Sequence, residues 1–316
     1  MKFIVIFAIL VLVASCANDR MLFNNFKNKF NKKYSVEEEA IRFKIFQANL
    51  KTIREHNAGD STFKMGINQF TDLTLKEYAQ KYLSPVKIQG SGRKTNEKVT
   101  VGGSFNWVDH GAVTPVKDQG QCGSCWTFST TGLIEGCTVV DGGKLISLSE
   151  QEIVDCDNGG YGCNGGWPYQ AMQWVTDNGG LCSEQAYPYK AYDQSCQKSS
   201  CQSVSTLSAH AQYSSETEMM NKIQTYGPIS IAVDAENSAF MYYTSGVVTA
   251  SECPDDGLDH AILIVGYNTD ANPPYWIVKN SWAASWGQQG YIWLEYGKNT
   301  CGLADQAWYG TGCKNL

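Results

Sequence analysis

The chain has 316 residues, of which 43% are hydrophobic and 18% are charged, and this composition predicts a folded protein of one or two domains rather than a disordered one. Its net charge of -6 combines a basic segment, residues 17–100, with 16 Lys and Arg against 9 Asp and Glu, and an acidic remainder with 8 Lys, no Arg and 22 Asp and Glu. The acidic remainder argues against a nucleic-acid partner, and the opposite charges predict that the basic segment docks on the acidic body and is released as carboxylates protonate.

The first residues have the pattern of a secretory signal. A single Lys2 precedes an apolar run from Phe3 to Val13, and small residues follow it. Because this run is too short to span a membrane, we predict a signal peptide over residues 1–16 and no membrane span elsewhere. The expected location is the secretory pathway, in lysosome-like acidic vesicles or outside the cell, where disulfides form.

Residues 22 to about 83 predict a helical unit. Ser35 caps its main helix, acidic residues occupy the first turn, and Gly59 ends it. A second helix is predicted to begin near Thr71 or Asp72. The main helix carries an apolar stripe at helical spacing, formed by Ile41, Ile45, Leu50 and Ile53. Residues 84–103 are rich in Pro, Gly, Ser and Lys, which predicts an exposed linker open to proteolysis.

The rest of the chain changes from helical to strand patterns. Helical stretches joined by Gly- and Cys-rich loops run to about His210, and β-branched, aromatic runs bounded by Gly, Pro and Asn begin at Ile229. This order predicts an α+β fold with two packed halves.

The stretch "GQCGSCWTFS", residues 120–129, contains two cysteines three positions apart. A zinc site needs a second ligand pair, and a redox pair needs a thioredoxin-like strand and helix; neither pattern is present. Cys125 lies in the first turn of a predicted helix with Ser124 as its cap, so we expect an exposed thiol that the helix dipole biases towards thiolate. A nucleophilic thiol needs a base, and His260 lies at the mouth of the apolar strand "HAILIVGYN".

Three segments carry a resemblance to a known family. "QGQCGSCWTFS", "LDHAILIVGY" and "YWIVKNSWAASWG" together resemble the active-site segments of the papain-like cysteine proteases, and "LISLSEQEIVDCD" and "GCNGGWP" resemble further segments of that family's first domain. The resemblance implies a cysteine endopeptidase with a papain-like two-domain fold. Its mature peptidase would span residues 101–316, with a helical domain over about 110–211 and a β-barrel-like domain over about 212–308.

The basic segment resembles the propeptide of cathepsin L-like zymogens. The interspersed motif of those propeptides matches six residues on one face of the main helix: Glu38, Arg42, Phe46, Asn49, Ile53 and Asn57. A companion motif matches Gly66, Asn68, Phe70 and Asp72. The resemblance therefore implies that residues 17–100 are an inhibitory propeptide, which we expect to be removed at acidic pH.

The resemblance also implies roles for the site residues. Cys125 is the expected nucleophile and His260 its partner, resting as thiolate and imidazolium. Asn280 orients the imidazole, while Gln119 and the Cys125 N–H form the oxyanion hole. Two further residues are expected to support the site: Trp282 as a shield of the His260–Asn280 bond, or as a plain core residue, and Asp259 as a neighbour that tunes the imidazole or is merely solvated.

Substrate contacts follow from the same resemblance. Gly165 and Gly166 are expected along the substrate backbone, where a side chain would block close approach. Asp305 or Gln306 forms the base of the main specificity pocket; an acidic base would accept Arg or Lys at the second residue before the scissile bond (P2), and Gln306 would make the pocket merely polar. The expected walls of that pocket are Trp167, Pro168, Ala232, Leu258 and Ala261.

Family pairing implies the disulfides Cys122–Cys163, Cys156–Cys196 and Cys253–Cys301. Four cysteines remain open to three pairings or to partial freedom: Cys137, Cys182, Cys201 and Cys313.

Two other functional classes stay in view, an enzyme-dead binding relative and a disulfide scaffold without chemistry. The first normally lacks the nucleophile, which is present here, and the second leaves the propeptide pattern unexplained. We expect protein and peptide substrates, the chain's own propeptide and protein inhibitors of cysteine proteases as partners, with no metal, no cofactor and a monomeric state.

Overall fold

The computed structural model describes residues 18–84, 88, 90 and 96–316. The predicted signal peptide and much of the predicted linker lie outside these described residues. Within the described part of the chain, no helix is both long enough and apolar enough to cross a membrane.

The described part of the N-terminal segment, residues 17–100, folds into three helices and one short strand: α1 (18–29), α2 (Val36–Asn57), β1 (Phe63–Met65) and α3 (Leu75–Tyr82). The predicted Ser35 cap of α2 is confirmed, because its Oγ accepts the N–H of Glu38. Helix α3 begins later than predicted. Its cap is Thr74, which forms a reciprocal capping box with Glu77 and satisfies two backbone donors at once.

The buried face of α2 differs from the predicted stripe. Ile41 is 58% exposed, so the stripe is wrong at that position. The phenyl rings of α1, among them Phe23, pack against α2, and this aromatic cluster rotates the buried face towards the phenylalanines of α2. The buried residues of α2 are Phe43, Phe46, Leu50 and Ile53.

The helical half of the body is built around α4 (Cys125–Val140). Residues 125–138 of α4 are all buried, because α5 (Glu150–Cys156) and α6 (Pro168–Asp177) cover one side of it and the sheet covers the other. Short 3-10 turns occur at Gly162–Asn164, Lys198–Ser200 and Thr300–Gly302.

The second half contains the main sheet and two helices, α7 (Glu216–Tyr226) and α8 (Ser238–Tyr242). The strands after β1 are β2 (Ser104–Asn106), β3 (Ser205–Thr206), β4 (Ala209–Gln212), β5 (Ile229–Val233), β6 (Tyr243–Val248), β7 (His260–Asn268), β8 (Tyr275–Lys279), β9 (Tyr291–Glu295), β10 (Ala307–Thr311) and β11 (Lys314–Asn315). The main sheet has the order β1-β6-β9-β8-β7-β5-β10-β4, with β2 paired to β7, and β3 pairs with β11 separately.

The sheet is open rather than barrel-like. Its end strands β1 and β4 do not pair with each other among the described residues, so the expected barrel does not close. Strand β1 belongs to the N-terminal segment and runs antiparallel to β6. The segment also shares the core of the β-rich half through Ile53, Phe63, Met65, Phe70, Leu73, Tyr78 and Leu83, so it is packed into the body by apolar burial.

Five disulfides join the described cysteines. Three are the pairs that the resemblance implied, Cys122–Cys163, Cys156–Cys196 and Cys253–Cys301. The four cysteines left open pair as Cys137–Cys313 and Cys182–Cys201. Cys125 is the one free cysteine of the described chain.

Candidate active site

Cys125 and His260 lie at the same end of the interface between the two halves. Cys125 is the first residue of α4, and His260 is the first residue of β7. One turn into α4, the Oγ of Ser129 donates to the carbonyl of Ile262 at 2.8 Å, which fixes the helix alongside the strand. The backbone N–H of Ala261 also opposes burial by lowering the pKa of the Cys125 thiol. The thiol and the imidazole are therefore positioned by two rigid elements.

The imidazole is oriented by Asn280. The Nε2 of His260 lies 2.8 Å from the Oδ1 of Asn280, and because an amide oxygen only accepts, Nε2 carries the hydrogen. Nδ1 is buried and has no hydrogen-bond partner within the described residues, so in the neutral ring it is the atom able to accept a proton. The N–H of Ser281 donates to the same Oδ1 at 2.8 Å and holds the amide in place.

Trp282 covers this pair. Its indole stacks on the His260 ring, with 4.5 Å between centroids and 23° between planes, and it is 1% exposed. A buried ring over the His260–Asn280 bond excludes water, which strengthens that bond.

Gln119 directs its side-chain amide into the cleft. Its Nε2 donates to the carbonyl of Cys122 at 2.9 Å and to that of Tyr82 at 3.0 Å. Its Oε1 accepts from the Oγ of Ser281 at 2.7 Å. Cys122 and Ser281 therefore hold this amide in place, and its second N–H donates to a carbonyl of the N-terminal segment.

The N-terminal segment covers the rest of the site. Phe70 and Tyr78 place their rings edge-on to Trp282, with centroids 5.2 and 5.6 Å away. The N–H of Ser84 donates to the carbonyl of Asp259 at 2.7 Å, and residue 88 forms an antiparallel bridge with residue 258. The segment therefore crosses the cleft at Gln119, Trp282 and Asp259, which flank the thiol and the imidazole.

Burial of the site disfavours the charged forms of the pair. Cys125 is 1% exposed, so the prediction of an exposed thiol is wrong for this form of the chain. Burial raises the pKa of the Cys125 thiol to about 12. Burial also lowers the pKa of His260 to about 4, opposed by the hydrogen bond to Asn280. Both shifts therefore favour the neutral thiol and imidazole in this buried site over the expected thiolate and imidazolium.

Two neighbours of the site differ from their predicted roles. Ser124 occupies the cap position of α4 but makes no side-chain cap bond; its hydroxyl bonds to Tyr189 instead. Asp259 is buried rather than solvated, and its Oδ1 accepts the N–H of Ala235 at 2.9 Å. Its charge adds to burial in raising the pKa of Cys125.

The glycines of the cleft wall have structural reasons to be glycine. Gly165 has φ of 102°, in the region that side chains rarely adopt. A Cβ on Gly166 would lie 2.6 Å from the Trp126 ring. Trp167 and Pro168 follow at the start of α6, with Pro168 at its first position, where a missing N–H is tolerated.

The predicted pocket residues are distributed around the start of β7. Ala232 and Ala261 face each other in the pairing of β5 with β7. A Cβ on Gly302 would be 2.6 Å from Leu258 Cδ2 and 3.5 Å from Asp305 Oδ2, which places that carboxylate beside the Leu258 wall. The side chain of Gln306 instead accepts from the indole N–H of Trp308 at 3.3 Å.

Comparisons with known proteins agree with this geometry. The profile of papain family cysteine proteases matches residues 101–311, and that of the cathepsin propeptide inhibitor domain matches residues 23–78. The chain belongs to the papain family of cysteine proteases. It is a cysteine endopeptidase made as a zymogen, and its N-terminal segment is the propeptide that inhibits it.

Named relatives cover nearly the whole protease. Digestive cysteine proteinase 2 of Homarus americanus is 42% identical over 302 residues, which cover 90% of this chain and 93% of that protein. Thiol protease aleurain of Arabidopsis thaliana is 44% identical over 298 residues, covering 91% and 83%.

Solved structures show the papain-like fold. A recombinant stem bromelain precursor superimposes with a TM-score of 0.83 at 34% identity, covering 93% of this chain and 99% of that one. Digestive procathepsin L 3 of Tenebrio molitor larval midgut superimposes with a TM-score of 0.81 at 37% identity, with the same coverage of both chains.

Sequence reasoning missed three contributors to the site of this protease. The carbonyl of Tyr82 on Gln119 is a main-chain contact and leaves no side-chain signal. Ser281 follows Asn280 directly and joins it to Gln119, so its position in "KNSW" was a usable signal. Tyr189 lies far along the chain, and only folding brings it to Gln119.

Two groups of potential metal ligands occur among the described residues. Their cysteines are Cys137 with Cys313 and Cys182 with Cys201, and each pair is a disulfide. Neither group therefore offers the thiolates that bind metal.

Proposed function

We propose that Cys125 is the nucleophile and His260 the general base of this protease. The observation that carries the proposal is the His260–Asn280 bond at 2.8 Å, which leaves Nδ1 as the acceptor. Once the propeptide leaves, water re-enters the cleft and the burial that favours the neutral pair is reduced. The helix N-terminus at Cys125 then favours transfer of its proton to His260.

The remaining steps use groups already in position. The Cys125 thiolate attacks the peptide carbonyl, and the resulting oxyanion is bound by the Cys125 N–H and the Nε2 of Gln119. The imidazolium of His260 protonates the departing amine as the C–N bond breaks and the thioester remains. His260 then removes a proton from water, which hydrolyses the thioester. The carbonyl of Tyr82 occupies the Gln119 donor in the zymogen, so leaving of the propeptide frees the oxyanion hole.

Acidic activation is supported by where the ion pairs lie. Among the described residues, every ion pair of the propeptide joins two propeptide residues, such as Lys27–Glu39 and Arg42–Glu77. Acid therefore acts on these ion pairs within the propeptide's own fold.

The sign of the pH effect follows from the pKa shifts. The hydrogen bond from Lys27 lowers the pKa of Glu39 below 4.5. Partial burial opposes the shift at Glu77, but hydrogen bonds from Thr74 and Arg42 lower its pKa. A carboxylate whose pKa is lowered by folding stabilises the folded state at pH values above its ordinary pKa. That stabilisation is lost as the pH falls through the pKa of the folded state. The propeptide thus weakens below about pH 4.5.

Four carboxylates of the peptidase body that are partly or fully buried respond in the opposite direction. Burial raises the pKa values of Glu152, Asp157 and Glu216, and raises that of Glu184 to about 7. Carboxylates whose pKa is raised by folding favour the folded body at low pH. They oppose folding as the pH rises through the pKa of the folded state. Transfer of a proton from Cys125 to His260 leaves the number of bound protons unchanged, so the pair itself is not the acid trigger.

The test uses purified zymogen moved to about pH 4.5 with mild reductant, beside Cys125→Ser. The mass of both proteins is followed, and a cysteine-directed epoxide is added to samples taken after processing. We expect loss of the propeptide in the wild type alone and label on Cys125. An intact, unlabelled wild-type chain, even after an added non-thiol protease removes the propeptide, would contradict the proposed site. The new N-terminus also reports where the mature peptidase, proposed as residues 101–316, begins.

We further propose that the pocket accepts Arg or Lys at P2. The supporting observation is the Asp305 carboxylate, which lies beside Leu258 and whose Oδ1 accepts from the Nδ2 of Asn299 at 3.1 Å. The side chain of Gln306 accepts from Trp308. Peptides with Arg or Leu at P2 are compared on the wild type, on Asp305→Ala and on the neighbouring control Gln306→Ala. We expect Asp305→Ala to lower kcat/KM for the peptide with Arg at P2 more than for the peptide with Leu. A strong Leu preference unchanged by Asp305→Ala would refute this specificity.

For location we propose the secretory pathway, in an acidic vesicle or outside the cell. The support is the predicted signal over residues 1–16, five disulfides, and relatives named as digestive enzymes. We propose a monomer that protein inhibitors of cysteine proteases bind. Secretion of the full chain but not of a chain lacking residues 1–16 tests the first statement.

A further inference from the structure

The hydroxyl of Tyr189 joins two segments of the active site. It lies 2.8 Å from the carbonyl oxygen of Gln119 and 2.5 Å from the Oγ of Ser124. A carbonyl only accepts, so the single hydrogen of the Tyr189 hydroxyl goes to Gln119. Ser124 must then donate to the Tyr189 oxygen. The result is a directed chain, Ser124 to Tyr189 to Gln119, in which each bond polarises the next.

The two ends of this chain carry the two donors of the oxyanion hole. Gln119 supplies Nε2, and Ser124 immediately precedes Cys125, which supplies its N–H. We propose that Tyr189 is a positioning residue of the hydrolytic reaction, whose hydroxyl fixes the spacing between these two donors. The inference rests on the oxyanion role proposed above for Gln119.

Tyr189 is itself held firmly. Its N–H donates to the Oε1 of Glu184 at 2.8 Å, and its ring meets the edge of Phe128 with 4.9 Å between centroids. Burial raises the pKa of its hydroxyl far above 10, so the hydroxyl remains a donor at every working pH. All these residues belong to the peptidase body, and the arrangement therefore does not depend on the propeptide.

Loss of the hydroxyl should loosen the hole without dismantling it. The N–H of Gln119 still donates to the carbonyl of Ser281 at 2.9 Å, and its Oε1 still accepts from the Ser281 hydroxyl at 2.7 Å. The amide therefore stays in the cleft but is held from one side only. Because small misplacement of an oxyanion donor weakens transition-state binding more than substrate binding, the effect should fall on kcat.

The experiment compares Tyr189→Phe, Gln119→Ala and the double variant, all freed of the propeptide by an added non-thiol protease. Active sites are counted by epoxide titration. The matched control is Tyr187→Phe, whose hydroxyl donates to Asp155 at 2.8 Å away from the oxyanion hole. We expect kcat and kcat/KM to fall about 5-fold in Tyr189→Phe with KM unchanged, a fraction of the 100- to 1,000-fold that a lost oxyanion donor costs. Tyr187→Phe should stay within about 2-fold of wild type.

The double variant decides between positioning and general structure. If Tyr189 acts through Gln119, removing its hydroxyl has no further effect in Gln119→Ala. The inference would be overturned if loss of the Tyr189 hydroxyl lowered kcat equally in the wild-type and Gln119→Ala backgrounds. A wild-type kcat in Tyr189→Phe would also overturn it. Wild-type kcat in Gln119→Ala would instead overturn the proposed oxyanion role itself. Should Tyr189→Phe give no titratable sites, Ser124→Ala replaces it, with an expected fall of about 2- to 5-fold that again disappears in Gln119→Ala.

Discussion

The main-chain carbonyl of Tyr82 lies 3.0 Å from the side-chain nitrogen of Gln119, so the propeptide occupies the donor that we propose for the substrate oxyanion. Cys125 and His260 are also buried in the zymogen, and burial raises the pKa of the thiol and lowers that of the imidazole. We propose that inhibition has two physical parts, a blocked donor and a nucleophile whose charged form is disfavoured.

The packing of Phe70 on Trp282 sets how firmly the propeptide is held. Phe70 is fully buried against Trp282 and Tyr82, so Phe70→Ala should destabilise the closed zymogen by about 3–5 kcal/mol. We expect self-processing to begin at a pH about one unit or more higher than in wild type. The control is Leu75→Ala, at a 41% exposed position. The fraction processed against pH is read by mass, and an unchanged midpoint in Phe70→Ala would contradict this account.

Removal of the Asn280 side chain should disorient the imidazole. In Asn280→Ala the Nε2–H of His260 loses its acceptor, and the ring is free to adopt the other tautomer. We expect kcat/KM to fall about 100-fold, within the range of general acid–base contributions, with little change in KM. Asn280→Gln should recover little, because its longer side chain displaces the amide oxygen. Full activity in Asn280→Ala, measured per titrated site, would show that Trp282 packing alone fixes the ring.

Glu184 should make the mature body more stable in acid than at neutral pH. Its pKa is raised by burial to about 7, so its unfavourable contribution appears as pH rises from the ordinary value of 4.5 through 7. Glu184→Gln keeps an oxygen for the Tyr189 N–H and should raise stability at pH 7.5 by about 1 kcal/mol, allowing for partial solvation, and leave it unchanged at pH 4.

Glu218 provides the control of opposite sign. Its hydrogen bonds from Lys222 and Ser214 lower its pKa to about 2. Glu218→Gln should therefore lose stability at pH 7.5 and little below pH 2. Denaturant unfolding at each pH measures both variants, and equal shifts for Glu184→Gln at pH 4 and 7.5 would contradict the assignment.

The two disulfides that the sequence left open should differ in their contribution. Cys137–Cys313 closes a sequence separation of 176 residues and Cys182–Cys201 one of 19. By loop-closure entropy, replacing both cysteines with serine should cost about 5 kcal/mol for the long loop and about 3 for the short one. Thermal unfolding of the two double variants tests the order. A larger loss from Cys182–Cys201 would show that local packing, not chain entropy, dominates.

Local patterns in the sequence predicted much of the fold. The strand "HAILIVGYN" coincides with β7 and the Ser35 cap with the start of α2, because alternation, propensity and capping act over a few neighbouring residues. Ile41 was misassigned since both faces of α2 carry apolar residues, and only the phenylalanines of α1 decide which face is buried. The start of α3 was placed too early because Thr71, Asp72 and Thr74 are all competent caps, and the reciprocal bond from Glu77 selects Thr74.

Local sequence patterns predict the chemistry proposed for this protease: a thiol at a helix start, a histidine at a strand start, an asparagine and a glutamine at family spacing, and a propeptide with its own motif. The tertiary structure alone decided the pairing of Cys137 and Cys182, the side chains that Asp305 and Gln306 contact, and the neutral state of Cys125. These properties depend on distances and burial between residues far apart in the chain. No local pattern encodes such distances, because they exist only after the propeptide has packed across the two halves.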